Sequence, residues 1–518
     1  MNVENKKGNL DVSIEFLGAT SGIVTGSCNL VKITRFDQVR TILVDYGSFQ
    51  GEFEKMDEDR VILGEDIDCV LLTHAHLDHC GGIPKLFKTN DDNKVSFSGK
   101  IYGSRETLAQ AVHILKDSAK VNEQIIKGLR STMDKEKQSL YKSKEKLERE
   151  YANHHEIANI DSAVSSINEQ EEVPYGLFEV EETIKHFAPI ELSEDVPMVT
   201  IPLFDGIEAT FIPTSHINGS TMIELRCFTE DESYTMVFTG DIGSDNTILY
   251  KPMHFVPNYD VDCVVMESLH GVQKPIETLE DSKNKLKNIL KHARKKNKAV
   301  IIPTFSLDRS AGIITILNEF MSEGMRLNCY VDSPLIIKEL LEYVESYVGY
   351  NSAWFKFFME IPFDLSRFNV AEKYQDHICI SKYNGFNVFV TSSCMGFGGR
   401  VIDYFEHHIQ EKDSIFVFPG YLTTDSPSRA LLDAPMGSMV ELNGRRYIKH
   451  CETYQLHGFS SHGYLPDKIK ILEAYPSAST IFLNHGDSPA IYELLRRLEW
   501  ETKANIVIPE YEESFKLY

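Results

Sequence analysis

Three imidazoles and one carboxylate lie within six consecutive positions of this 518-residue chain. His74, His76, Asp78 and His79 directly follow the apolar run 69–72, which predicts a buried strand ending just before them. At a strand end, His74 and His76 can aim their rings at one point, while Asp78 and His79 can turn to a second point nearby. We therefore expect two adjacent metal ions, with zinc preferred and manganese or iron as alternatives. The competing interpretation is a histidine-rich surface loop.

Three more histidine or carboxylate positions occur where predicted strands end among small residues. They are His216, Asp241 and His485. Each alone is more typical of turn or capping chemistry. Taken with the first cluster they make seven ligands, enough for two ions that share one bridging carboxylate and keep open positions for water and substrate.

Composition predicts a folded protein, with 42% hydrophobic residues and length for two or three domains. The formal net charge of −24 argues against a broad basic surface for a polyanion. It does not exclude such a substrate, because two divalent ions would be the largest charges at the site. The nine cysteines form no Cys-x-x-Cys pair, and no apolar run reaches the roughly 18 residues of a membrane span. We expect a cytoplasmic protein with reduced thiols and no membrane association.

The hydrophobic pattern changes along the chain. Short apolar strands with glycine turns fill 12–72 and predict the start of a sandwich-type sheet. Residues 121–171 are rich in Lys, Glu and Gln with a seven-residue apolar step, which predicts a long charged helical arm. We interpret the arm as a solvated or homodimer-forming element, or else as a contact for a protein partner or RNA. Beyond 271–275, alternating helices and strands predict a parallel sheet that continues to about Asp433.

Further motifs accompany the histidine cluster along most of the chain. They are Phe16-Leu17-Gly18-Ala19, Val24-Thr25-Gly26-Ser27-Cys28, Asp45, Asp117-Ser118-Ala119-Lys120, Met266-Glu267-Ser268, Val331-Asp332-Ser333-Pro334-Leu335 and Gly458-Phe459-Ser460-Ser461-His462. With these, the chain resembles the metallo-beta-lactamase superfamily. It is most similar to the β-CASP branch of RNA-processing nucleases, which includes the cleavage and polyadenylation endonuclease and ribonuclease J.

The resemblance implies an α/β fold: a discontinuous αββα sandwich with an inserted α/β lid, the β-CASP domain, that contains a parallel sheet. The expected divisions are 1–271 for the first part of the sandwich, including the arm, 272–445 for the lid, and 446–518 for the second part. Substrate would enter the crevice between the two lobes.

The resemblance also implies roles for individual ligands. His74, His76 and His216 would hold a first zinc, Asp78, His79 and His485 a second, and Asp241 would bridge the two. Asp45 would orient a ligating histidine by accepting its other N–H. The alternative for Asp45 is an ordinary strand-end aspartate that starts the turn at Tyr46-Gly47.

Acid-base and substrate roles follow from the same resemblance. His462 would donate a proton to the leaving oxygen and Glu267 would hold its ring, so that with Asp78 and Asp241 they form the expected catalytic set. The alternative for the His462 motif is a helix cap followed by a satisfied histidine. Ser393 and Arg309 are candidates for phosphate contacts, or simple helix caps.

The predicted function is a zinc-dependent endonucleolytic ribonuclease that acts on RNA, with single strands favoured. Additional 5′-to-3′ exonucleolytic activity is left open. Histidine at position 485 resembles the RNA-processing members of the branch rather than the DNA-processing ones. The alternatives are a small-molecule hydrolase of the lactonase or thioesterase type, a non-catalytic scaffold in an RNA-processing complex, and a DNA nuclease. The chain departs from the family pattern at Cys394, at Gly243-Ser244-Asp245 and at Gly463-Tyr464, which concerns phosphate handling rather than metal binding.

Overall fold

The computed structural model describes residues 9–89, 95–124, 174–193, 198–244, 247, 249–250, 260–305, 307–349 and 364–518. The strands are β1 (Leu10–Phe16), β2 (Cys28–Arg35), β3 (Gln38–Tyr46), β4 (Cys69–Leu71), β5 (Lys100–Ser104), β6 (Phe187–Ile190), β7 (Val199–Phe204), β8 (Ile207–Pro213), β9 (Thr221–Phe228), β10 (Ser233–Phe238), β11 (Cys263–Glu267), β12 (Ala299–Thr304), β13 (Cys329–Asp332), β14 (Phe368–Val370), β15 (Val388–Ser392), β16 (Ser414–Phe418), β17 (Met439–Leu442), β18 (Arg445–Ile448), β19 (Glu452–Gln455), β20 (Thr480–Asn484), β21 (Asn505–Val507) and β22 (Glu513–Lys516).

Helices cover the faces of these sheets. The α-helices span Met56–Asp59, Leu77–Cys80, 105–124, Leu177–Lys185, Leu279–Lys296, Arg309–Ser322, Pro334–Gly349, Tyr374–Ile380, Val401–His408, Pro427–Asp433, Leu465–Ala474 and Ser488–Leu498. Short 3₁₀ helices span Gly51–Phe53, Gly64–Asp66, Ile83–Phe87 and Leu365–Arg367.

Two seven-stranded sheets form a sandwich. The first has the order β22-β1-β2-β3-β4-β5-β6 and the second β21-β20-β11-β10-β9-β8-β7. Buried residues alternate along β1, as expected of a strand with one face in a core. The inner faces share one core, which includes Phe16, Val44, Phe211, Met236 and Phe482. The predicted sandwich is therefore confirmed.

The outer face of each sandwich sheet carries helices. Leu108 and Leu115 of helix 105–124 pack with Val70 and Ile101 of the first sheet. Helices Leu465–Ala474 and Ser488–Leu498 supply Ile471, Ile491 and Leu494 to the core behind the second sheet. This order of layers is the predicted αββα arrangement.

A third sheet forms the lid. Its six strands, in the order β14-β13-β15-β12-β16-β19, all run parallel, which confirms the parallel sheet predicted from the alternating pattern. Apolar clusters cover both of its faces, as in other sheets wound with helices on two sides. The chain leaves the sandwich after β11 and returns at β20, and these two strands pair in parallel.

The lid sheet continues past the predicted boundary at residue 445. Strand β19, Glu452–Gln455, pairs with β16 and completes the sheet at its edge, after the hairpin formed by β17 and β18. The predicted divisions at residues 271 and 445 stay predictions. The predicted helical arm lies outside the described residues except for 121–124, which continue helix 105–124.

Two further sequence predictions concern the thiols and the membrane. All nine cysteines lie in described parts of the chain and are free, as expected of reduced thiols. Where the structure describes the chain, none of its helices combines the length and the apolar character needed to cross a bilayer.

Candidate metal centre and acid-base pair

The candidate site lies at one edge of the sandwich. His74, His216 and Asp241 each stand three residues beyond the end of a strand, namely β4, β8 and β10. His485 follows β20 directly, and Glu267 is the last residue of β11. Because β10, β11 and β20 run parallel, their carboxyl ends meet at the same edge and bring these side chains together.

One group of side chains surrounds a single oxygen of Asp241. Oδ2 of Asp241 lies 3.4 Å from Nε2 of His74 and 3.3 Å from Nε2 of His216. Nδ1 of His76 lies 3.0 Å from Nε2 of His74 and 3.3 Å from Nε2 of His216. These four residues offer three nitrogens and one oxygen within 4.8 Å of one another.

A second group lies on the other oxygen of Asp241. Oδ1 is 3.2 Å from Nε2 of His79 and 3.5 Å from Nδ1 of His485. The other ring nitrogen of His485 lies 3.3 Å from Oδ2 of Asp78. The seven predicted ligands thus form two groups that meet at the Asp241 carboxylate.

Three atoms at this meeting point are buried without a hydrogen-bond partner: Nε2 of His79, Oδ1 of Asp241 and Nδ1 of His485. Burying unpaired polar atoms is unfavourable, so such a group normally has a ligand to satisfy. Imidazole nitrogens with carboxylate oxygens suit zinc and related transition metals. The residues present therefore fit a metal centre.

Electrostatics keeps the bridging carboxylate charged. Burial acts to raise the pKa of Asp241, but the imidazoles of His485, His79, His74 and His462 hold that pKa well below its ordinary value. Burial, with the neighbouring His79, lowers the pKa of His74 to about 4. An ionised carboxylate and a neutral imidazole are the protonation states that bind metal.

Asp45 lies behind the second group. Its Oδ2 is 2.8 Å from Nδ1 of His79. The same carboxylate accepts the backbone N–H and the hydroxyl of Thr73, each at 2.8 Å. Thr73 precedes His74, so one buried carboxylate orients both a ring of the second group and the loop that carries the first.

His462 and Glu267 form a separate pair beside the histidine groups. Nδ1 of His462 is 2.9 Å from Oε2 of Glu267 and 3.8 Å from Oδ2 of Asp241. The other oxygen of Glu267 accepts the backbone N–H of Ile242 at 3.0 Å. Burial lowers the pKa of His462, and the charges of Glu267 and Asp241 oppose that effect. The His462 side chain remains 18% exposed, and no described residue forms a hydrogen bond with its Nε2.

Arg60 holds the loops around Asp78, and sequence reasoning did not find it. Its guanidinium is buried and donates to the carbonyls of Leu17, Gly26 and Gly47. A Cβ on Gly47 would collide with the carbonyl of Asp78, so the two loops touch. In the acidic run 57–60 this arginine is indistinguishable by sequence from a surface residue.

Lys468 is a second residue that sequence reasoning missed. It is fully buried, and its ammonium donates to the carbonyl of Gly463 at 2.7 Å, next to His462. Burial lowers the pKa of Lys468, while Glu267, Asp467 and Asp241 oppose this. In the sequence, Lys468 and Lys470 both resemble solvated positions of one amphipathic helix, so no signal separates them.

Ser393 and Arg309 lie in the lid, outside the two histidine groups. Ser393 follows β15 with a positive φ of 74°, and its carbonyl accepts from the backbone N–H of Gly396. Arg309 begins helix Arg309–Ser322 and donates to the carbonyl of Pro419. Phosphate contact by either residue stays a prediction.

A sandwich of this topology with histidine and aspartate groups at one edge defines a metallo-hydrolase fold. Three family models match successive parts of the chain. They are the metallo-beta-lactamase superfamily at residues 24–117, the Beta-Casp domain at 312–431 and the Zn-dependent metallo-hydrolase RNA specificity domain at 447–509. The chain belongs to the metallo-beta-lactamase superfamily and to its β-CASP branch, which confirms the resemblance seen in the sequence.

Relatives of known name share low identity over most of the chain. Ribonuclease TTHA0252 of Thermus thermophilus is 23% identical over 91% of this chain and 92% of its own length. RNase aCSPSF2 of Saccharolobus solfataricus is 24% identical over 92% of this chain and 80% of its own. Transcription termination factor FttA of Methanococcus maripaludis is 25% identical over 85% of this chain, which spans 62% of the factor.

Proposed function

We propose that this protein is a zinc-dependent ribonuclease that hydrolyses phosphodiester bonds within single-stranded RNA. The observation that carries the proposal is the position of His462, paired with Glu267 at 2.9 Å and next to the Asp241 carboxylate shared by both histidine groups. Phosphodiester hydrolysis needs an activated water on one side of phosphorus and a proton for the leaving oxygen on the other. The relatives named as ribonucleases and the match to an RNA specificity domain support RNA as the substrate.

Two ions per chain fit the donor arrangement. His74, His76 and His216 with one oxygen of Asp241 would hold one ion. Asp78, His79 and His485 with its other oxygen would hold the second, and Asp45 would fix the ring of His79. Ions at such sites activate water for attack and offset the negative charge of phosphate.

Two side chains of the protein, Glu267 and His462, would supply the proton that the leaving oxygen needs. Glu267 engages Nδ1 of His462, so the proton to be delivered stands on Nε2. When the bond from phosphorus to the leaving oxygen breaks, that oxygen takes the Nε2 proton and His462 becomes neutral. The ionised Glu267 favours the charged imidazole beforehand and so supports its reprotonation for the next cycle.

The test compares cleavage of a 5′-labelled single-stranded RNA with its DNA counterpart, in zinc, by protein purified in parallel with Asp78→Ala. We expect internal RNA fragments that vanish with chelator and in Asp78→Ala. His407→Ala is the matched control, because that half-buried histidine lies on lid helix Val401–His408 away from the site. It should cleave like the unmodified protein.

Other outcomes would overturn the proposal. Fragments that persist in Asp78→Ala would belong to a contaminating nuclease. Faster cleavage of the DNA would make the protein a DNA nuclease, and rapid hydrolysis of small esters or lactones that excess RNA does not inhibit would favour the small-molecule alternative. Less than about one metal ion per chain by elemental analysis, with no cleavage, would favour a scaffold. Fragment patterns over time separate internal cleavage from a 5′-to-3′ exonuclease.

A further inference from the structure

Three exposed aromatic side chains follow three neighbouring strands of the lid. Phe305, Phe397 and Tyr421 come after β12, β15 and β16, and they are 39%, 57% and 68% exposed. These strands lie side by side in the order β15-β12-β16 and run parallel, so their loops leave the same edge of the sheet. Large exposed aromatics grouped at one edge usually serve binding rather than folding.

Arg309 places the loops at this edge near the candidate site. Arg309 donates to the carbonyl of Pro419, two residues before Tyr421, and its charge also interacts with Cys394 and Tyr464. Tyr464 belongs to the sandwich, so the charge of Arg309 lies within electrostatic range of the sandwich. The ring of Tyr464 stacks on that of His270 with centroids 4.5 Å apart. The loops at the lid edge therefore lie near the surroundings of His462.

One of the three aromatics lines a cavity. Phe397 borders a space of about 260 Å³ together with Ile402, Phe405, Leu442, Asn443, Arg445 and Tyr447. Asn443 lies in the turn of the hairpin formed by β17 and β18, and its amide donates to the carbonyl of Gly396 at 2.8 Å. Pockets for whole drug-sized ligands span roughly 300–1,000 Å³, so this one suits a single planar ring system. Its aromatic rings and the side-chain oxygen of Asn443 suit a nucleobase, while the guanidinium of Arg445 pairs with Glu406.

The charge of the chain also bears on how RNA could be held. With a net charge of −24, phosphate contacts alone offer little general attraction. Stacking of bases on aromatic rings does not depend on charge and tolerates any sequence. It requires unpaired bases, because the faces of bases within a duplex are already stacked on one another.

We propose that Phe305, Phe397 and Tyr421 form a stacking track for the unpaired bases of single-stranded RNA, with one base inserted in the cavity beside Phe397. The proposal rests on the ribonuclease function above and adds the surface that selects single strands. The track holds bases while the site edge of the sandwich holds the phosphate to be cleaved.

The experiment measures binding of a labelled single-stranded RNA to the Asp78→Ala protein, so that cleavage does not interfere. Adding Phe397→Ala or Tyr421→Ala should each weaken binding about tenfold. Phe397→Leu keeps apolar bulk without a ring and should lose as much, whereas Tyr421→Phe should bind normally. Phe178→Ala, which removes an exposed ring from sandwich helix Leu177–Lys185, is the matched control and should have no effect.

A second probe has the same length and phosphates but abasic sites in place of bases. It should bind weakly, and equally to the proteins with and without Phe397. Equal binding of normal RNA by all ring-removing variants, or undiminished binding of the abasic probe, would overturn the stacking track. If those results accompany RNA cleavage by the unmodified protein, the ribonuclease proposal survives alone.

The opposite combination of results would also distinguish the stacking track from the ribonuclease proposal. Ring-dependent RNA binding without cleavage in zinc would retain the track and overturn the ribonuclease. Neither binding nor cleavage would overturn both proposals, and the aromatic edge would then be better explained as a face for a protein partner.

Discussion

Two histidine–carboxylate pairs, one at the sandwich edge and one in the lid, look alike but differ in what their second ring nitrogen contacts. Nδ1 of His462 faces Glu267, its Nε2 has no hydrogen-bond partner among the described residues, and its side chain is 18% exposed. His377 is fully buried, with Nδ1 2.6 Å from Asp332 and Nε2 2.8 Å from Asp403. A histidine with one ring nitrogen free of hydrogen bonds can transfer a proton to a substrate. A histidine that is hydrogen-bonded at both ring nitrogens can only hold neighbouring parts of the structure together.

The surroundings strengthen this difference. Asp332 also accepts from the guanidinium of Arg400 at 2.6 Å and from the hydroxyl of Tyr404 at 2.8 Å. The network joins the end of β13 to two lid helices and to the loop that begins at Ser393. Burial acts to lower the pKa of His377, but hydrogen bonds to Asp332 and Asp403 raise it, while the pKa of His462 is lowered. The lid histidine therefore keeps its charge to higher pH than a free histidine, whereas His462 loses its charge at lower pH.

Among the variants that distinguish the two histidine–carboxylate pairs, His462→Ala should have the largest effect on the rate of RNA cleavage. Removing a general acid lowers kcat by roughly 100- to 10,000-fold. The variant should keep the metal content and the midpoint of urea unfolding of the unmodified protein, because His462 is partly exposed and the metal groups remain. RNA cleavage by His462→Ala at the normal rate would assign the proton to another group.

His377→Ala should have the opposite profile. It leaves Asp332 buried beside one fewer partner, and breaking a buried pair in this way lowers the free energy of unfolding by roughly 3–5 kcal/mol. At a temperature where the variant is folded, its cleavage rate should stay within a few-fold of normal. Urea unfolding followed by circular dichroism measures the first quantity and labelled RNA the second. A large loss of kcat in folded protein would show that the lid network acts directly on the chemistry.

Glu267→Gln probes the positioning part of the crevice pair. Residues that orient a reacting or ligating histidine typically contribute 10- to 100-fold, so a loss of about that size is expected. The amide keeps the contact but removes the charge that favours the protonated imidazole. The pH optimum of cleavage should therefore shift to lower pH, which a role in folding alone would not produce. Glu277→Gln, at a carboxylate of the lobe junction that binds Lys285, is the control.

Spacing revealed the local ligands, and the family resemblance supplied the distant ones, but neither revealed contacts that no family motif carries. Spacing alone indicated His74 to His79, because ligands in one loop share one strand end. The pairing of His377 with Asp332 joins residues 45 positions apart, and nothing in the local pattern indicates it. Arg60 and Lys468 were missed for a related reason, since charged residues in or next to short helices ordinarily lie on the surface. The edge strand β19 was missed because its pairing with β16 skips over a hairpin.

The smallest predicted effect concerns pH and uses two buried histidines of the lid. His377 has carboxylate partners that raise its pKa, so its contribution to stability is fully present below the ordinary value of 6.5 and is lost as pH rises through the folded pKa. His408 is also fully buried, but its nitrogens lie 2.8 Å from the Ser414 hydroxyl and the Ser381 carbonyl. Burial lowers its pKa to about 4, so the folded state loses stability as pH falls from 6.5 toward 4.

Comparing each variant with the unmodified protein across pH isolates these two contributions. The stability difference for His377→Gln should shrink above pH 6.5, and that for His408→Gln should shrink below it, each with a slope of at most about 1.4 kcal/mol per pH unit. Urea midpoints measured in steps from pH 5 to pH 9 supply both curves. Two curves with the same slope would mean that the carboxylates Asp332 and Asp403 do not hold His377 in its charged form. The contrast between a locked ion pair in the lid and a titrating acid in the crevice would then rest on exposure alone.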